Sequence, residues 1–136
     1  MPMIPSALAG IVYAAVKVGG YAAFAHGLNR ITDRSASPIK FAGAKTALGL
    51  VGGIAYVFGL ASAIGISAES DFLLFVGAAP IRILVWTAMI GLFYGFRANP
   101  RLMTAAVLLG VVWSYALDGV MWVIYKVLPG MVMPFC

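Results

Sequence analysis

The stretch LMTAAVLLGVVWSYALDGVMWVIYKVL, residues 102–128, decides the fold class. Wound as an α-helix at about 1.5 Å per residue it spans about 40 Å, more than the roughly 30 Å hydrocarbon core of a bilayer. Its only charged residues are Asp118 and Lys126. Three further apolar stretches of similar length precede it, from Ile4 to Leu28, Phe41 to Ile66 and Phe72 to Phe96. The expected architecture is therefore an all-α integral membrane protein, a single antiparallel bundle of four transmembrane helices filling residues 1–136. Hydrophobic residues make up 63% of the chain and charged ones 10%, with a mean hydropathy of +1.03. That composition excludes a soluble enzyme, a disordered tail and a disulfide scaffold.

The breaks between spans are legible. Residues 29–40 hold Arg30, Asp33, Arg34, Ser35, Ser37 and Pro38, a polar turn-forming connector. Residues 67–71 are short and acidic, with Glu69 and Asp71, and residues 97–101 place an Asn99-Pro100 turn signal between Arg97 and Arg101. Basic residues favour the cytoplasmic side of a membrane protein. Arg30, Arg34, Lys40, Lys45, Arg97 and Arg101 all belong to the first and third connectors or their flanks. Only Lys126 falls at the opposite end. Both connectors are thus expected in the cytoplasm and both termini on the outer side, in a multi-pass protein of a bacterial inner (plasma) membrane. Trp122 and Tyr125 at one end, and Phe93, Tyr94 and Phe96 at the other, suit interfacial aromatic belts. The net charge of +5 then reads as a topology signal, and no nucleic-acid partner is expected. Ala23-Phe24-Ala25 resembles a signal-peptidase site, but the leading residues lack a basic region and Lys17 interrupts the apolar run, so no cleavage is expected.

Small residues allow helices to approach closely in lipid. Span one carries Ala15, Gly19, Ala23 and Gly27 at four-residue spacing. Span two carries Gly49 and Gly53, and a second row of Ala55, Gly59 and Ala63 facing elsewhere. Span three has Gly91 and Gly95, and span four has Ala106, Gly110, Ser114 and Asp118 on one row. Such rows are expected to serve internal packing and contacts with a second copy or other membrane subunits.

Lys17, Arg82 and Asp118 form the candidate intramembrane charged cluster. A charge at mid-span costs about 2.5–3.5 kcal/mol on insertion scales, so each is expected to face the bundle interior. Counted from the connector ends, Arg82 lies about 21 Å deep, Asp118 about 24 Å and Lys17 about 16 Å. Arg82 and Asp118 are expected to pair, which leaves Lys17 without an acidic partner at its level. Pro80 cannot donate to Val76 and is expected to kink span three beside Arg82, freeing a carbonyl. The excess cation could attract a small anion or an anionic lipid headgroup. His26, near the end of span one, is expected at the interface.

The inventory of reactive groups is short. One His, four acidic residues and the terminal Cys136 provide no metal-ligand spacing. Ser114 has no histidine at its depth, and the glycines lack the context of a phosphate loop. No cofactor, metal or catalytic residue is expected. Three functions remain, in falling order of expectation: a non-catalytic subunit, regulator or assembly factor working through helix–helix contacts, a small oligomeric channel or carrier with a charged intramembrane site, and a lipid-active enzyme.

Overall fold

A computed structural model describes residues 7–65, 75–97 and 99–127. Glu69, Asp71 and Cys136, and the side chain of Tyr125, lie outside the described residues. The elements are α1 (Ala7–Thr32), α2 (Pro38–Ala55), a π-helical segment (Tyr56–Ala61), α3 (Ser62–Ile64), α4 (Ala79–Phe93) and α5 (Pro100–Val127). No strand occurs among the described residues. Three helical stretches are long and apolar enough to cross a membrane: Gly10–Thr32, Phe75–Phe93 and Pro100–Ile124. The fourth rod, residues 38–64, passes from α to π geometry at Tyr56.

The polar connectors set where helices stop and start. Asp33 ends α1 at φ 50, and Ser37 caps α2 with Pro38 in its first turn. A proline there costs nothing, because that N–H has no partner inside the helix. The same device opens α5: the Asn99 side chain accepts from the Leu102 N–H at 3.1 Å, and Pro100 follows. Between them, α4 stops at Tyr94 and Gly95, whose N–H groups both donate to the Ile90 carbonyl. Gly95 has φ +73, a left-handed conformation that suits a residue without Cβ. Gly95 therefore terminates a helix instead of lining a helix–helix contact.

Pro80 acts differently from a mid-span kink. The helical run breaks at Ala78, so Pro80 falls in the first turn of α4. Residues 75–77, just before it, are also helical. Beside this break the Tyr115 hydroxyl donates to the Phe75 carbonyl at 3.2 Å.

The four rods close a ring in which α1 packs on α2, α2 on α4, α4 on α5, and α5 back on α1. The core contains Tyr21, Ala25, Leu28, Phe41, Ala42, Trp86, Met89, Ile90, Tyr94, Met103, Ala106, Val107 and Leu117. On α1 the inward face is Lys17, Tyr21, Ala25 and Leu28, spaced at helical intervals. Ala15, Gly19 and Ala23 project outward, and nothing lies within 4 Å of a Cβ built on Gly19 or Gly27. The intrachain contact on α1 instead uses Gly20, where a Cβ would meet Leu117 at 2.5 Å. Span two divides its rows: Gly49 and Gly53 are buried, while Ala55, Gly59 and Ala63 face out. Gly91 is exposed and meets only the Phe96 ring of the following turn. The row on α5 faces inward, with Ala106, Gly110, Ser114 and Asp118 all buried. Tyr94, expected at the interface, is a core residue at 2% exposure. Its hydroxyl reaches Asn29 Oδ1 at 2.8 Å, and Asn29 in turn donates to the Ala36 carbonyl at 2.7 Å. This chain of bonds ties the end of α4 to the first connector.

Candidate functional site

The bundle interior holds a polar layer built around Asp118. On α5, Asp118 lies one turn beyond Ser114, and both face the ring's centre. Asp118 accepts from Lys17 Nζ on α1 through Oδ1, and from Arg82 Nη2 on α4 through Oδ2 at 2.5 Å. One carboxylate thus joins three helices. The expectation that Lys17 lacks an acidic partner is corrected here. α1 continues to Thr32, four residues past Leu28, which moves Lys17 about 6 Å deeper, toward the level of Asp118. The flexible lysine side chain covers the remainder.

The triad sits among aromatic rings. The Arg82 guanidinium lies 4.3 Å from the centre of the Tyr115 ring, and Lys17 Nζ lies 5.8 Å from the rings of both Tyr13 and Tyr21. Cations gain from the negative face of a ring, more so out of water. Below the triad, Ser114 Oγ accepts from Trp86 Nε1 at 3.0 Å and shares a hydrogen bond with the Tyr21 hydroxyl at 3.1 Å. A further cation enters this layer. Lys45, read from sequence as part of a connector flank, is 3% exposed, with Nζ 4.6 Å from the Tyr21 ring and 5.1 Å from the Trp86 ring. Lys45 shares a row with Phe41, Gly49 and Gly53, a face that four-residue spacing already marks. The exposed cations at the connectors are consequently Arg30, Arg34, Lys40, Arg97 and Arg101, five in place of six.

The buried charged groups are three cations and one carboxylate among the described residues. Two polar atoms in the layer, Arg82 Nε and the Tyr56 hydroxyl, are buried without a hydrogen-bond partner. Tyr56 stands at the start of the π-helical segment, one turn beyond Gly52. A Cβ on Gly52 would touch Ile81 and Val85 of α4, so this part of α2 runs against the Arg82 turn. His26 is exposed near the connector end of α1, away from the triad. Among the described residues there is no group of three or more metal-ligating side chains. An apolar groove of about 330 Å³ opens between α1 and α5, lined by Phe24, Ile31, Leu109, Trp113 and their neighbours. None of its lining residues belongs to the triad.

Chemically, this arrangement fixes one carboxylate between two cations and leaves a net positive charge in the bundle. Lys17 is 0% exposed, Arg82 8% and Asp118 5%, so the charges are sealed between helices. Comparison with protein-family models, curated proteins and solved structures finds no match to the chain.

Proposed function

We propose that this chain is a non-catalytic multi-pass protein of a bacterial inner membrane, acting through helix–helix assembly as a subunit, regulator or assembly factor. Both termini lie on the outer side in this reading, with the Arg-bearing connectors in the cytoplasm. The carrying observation is the outward row of Ala15, Gly19 and Ala23 on α1. Gly19 has open space where a side chain would stand, so a neighbouring helix could approach to backbone distance. The outward row of Ala55, Gly59 and Ala63 on the second rod gives a second such face. Lys17, Arg82 and Asp118, meanwhile, are occupied with one another inside the bundle.

Introducing Gly19→Leu together with Ala23→Leu is expected to shift the detergent-solubilised protein from assembled species to single chains. Thermal stability of the single chain should stay within about 0.5 kcal/mol of wild type, since both positions are exposed. Light scattering after size exclusion reads the first effect and thermal unfolding the second. Assembly unchanged by the paired substitution would remove α1 from the interface.

A second reading is an oligomeric channel or carrier with an intramembrane site for an anion or lipid headgroup. It is favoured by the +1 formal charge of the Lys17–Asp118–Arg82 triad and by the unpartnered Arg82 Nε and Tyr56 hydroxyl. In that case, purified protein in liposomes conducts an anion and Arg82→Gln suppresses the flux. Liposomes that pass no anion under any gradient would end this reading.

A further inference from the structure

Away from the charged layer, the connector end of α4 carries a cleft of about 300 Å³. Its lining is Arg34 from the first connector, Arg97 from the third, and Gly91, Leu92, Phe93, Tyr94 and Gly95 between them. We propose that this cleft binds the phosphate of an anionic phospholipid.

Three features carry the assignment. First, the chain brings two guanidinium groups from different connectors to one concavity. Guanidinium groups offer planar, paired donors that match phosphate oxygens. Both arginines are exposed, so their donors are available to a ligand. Secondly, two glycines keep the floor open; the carbonyls of the C-terminal turn of α4 oppose an anion, so the attraction rests on the two arginines. Gly95 turns the chain at φ +73, and open space surrounds the position of its absent Cβ. Gly91, one turn earlier, is also exposed and bears no side chain. Thirdly, the wall beside the cations is apolar: Leu92 is 76% exposed, on a helix apolar enough to cross a membrane. Cations at a helix end with an apolar face leading away match the two parts of a phospholipid, a charged headgroup and an acyl chain. Free inorganic phosphate would use the arginines but not the Leu92 face.

The inference does not depend on the assembly reading, because neither Gly19 nor the outward row of α1 lines the cleft. Its test is lipid retention in native mass spectrometry. Full-length protein in mild detergent is titrated with phosphatidylglycerol, with phosphatidylcholine of the same chains, and with inorganic phosphate.

The expected result is a saturable phosphatidylglycerol adduct that is preferred over phosphatidylcholine. Each of Arg34→Gln and Arg97→Gln should weaken it about fivefold and the pair about thirtyfold, from roughly one unit of surface electrostatic attraction per arginine. Arg101→Gln, which removes an exposed cation outside the cleft, should leave it within twofold of wild type. All three substitutions are at exposed positions, so folding is expected to survive them. Equal weakening by Arg101→Gln would overturn the site in favour of diffuse charge attraction. Equal binding of the two lipids would overturn it as well. Binding of inorganic phosphate as tight as that of phosphatidylglycerol would overturn the lipid assignment.

Discussion

Asp118→Asn is expected to be the most damaging single substitution in the chain, costing about 3–5 kcal/mol of bundle stability. The amide keeps the size of the carboxylate but removes its charge, leaving Lys17 and Arg82 facing each other in a sealed interior. The corresponding losses at the cations should be smaller. Arg82→Gln leaves a neutral Lys17–Asp118 pair, and Lys17→Met leaves a neutral Arg82–Asp118 pair. The ordering, with Asp118→Asn well below either cation variant, is the signature of a three-member cluster. A simple Arg82–Asp118 pair would behave otherwise: its two single variants would suffer alike, and the Arg82→Gln, Asp118→Asn double variant would recover. Here the double variant still strands Lys17, so it should remain clearly less stable than Arg82→Gln alone. Unfolding by sodium dodecyl sulfate titration from mild micelles measures all four proteins. Equal stability of Asp118→Asn and Arg82→Gln would show that Lys17 takes no part.

The second large effect is expected at Gly110. A Cβ added there would stand 2.4 Å from the Trp86 ring, closer than packed atoms approach. Trp86 cannot yield easily. It is fully buried, stacks edge-on against Phe24 with ring centres 4.8 Å apart, and donates to Ser114. Gly110→Ala should therefore cost about 1–3 kcal/mol in overpacking, with a further 0.5–1.5 or so if the Ser114 bond breaks. The contrasting site is Gly20. A Cβ there meets only the tip of Leu117, a flexible side chain that can rotate away, so Gly20→Ala should cost less than Gly110→Ala. Trp fluorescence during the same titration follows both the unfolding and the displacement of the ring.

Much of this architecture is legible in the sequence, because span length and polar punctuation are one-dimensional properties. Ser37-Pro38 and Asn99-Pro100 mark the helix starts that the structure has. The shared row of Gly110, Ser114 and Asp118 also emerges inward as a unit, since a charged residue at mid-span fixes which way its row faces. Rotation was harder to read where two signals compete. On α1 the small row Ala15, Gly19 and Ala23 suggests a packing face, yet Lys17 lies two residues from Ala15 and Gly19, on nearly the opposite side of the helix. The charge decides the rotation, because exposing it to lipid costs more than exposing glycine gains. The same rule applied to Lys45 places Phe41 and Gly49 inside, and it fails only if that lysine is counted with the connector. The Lys17–Asp118 contact was hidden for a different reason: one extra turn of α1 places Lys17 about 6 Å deeper, and the long lysine side chain spans what is left of the apparent mismatch. Nothing in the residue pattern alone announces the π-helical segment at Tyr56, since its neighbours are as apolar as the rest of the span.

These placements divide the molecule into an interior that fixes charge and an exterior that leaves small-residue faces open. The claim that the exterior works by assembly is tested most directly by native mass spectrometry of the wild-type chain released from mild detergent. The account predicts species of more than one chain, either copies of this protein or a complex with another membrane subunit. A lone single chain at every detergent and protein concentration would contradict it.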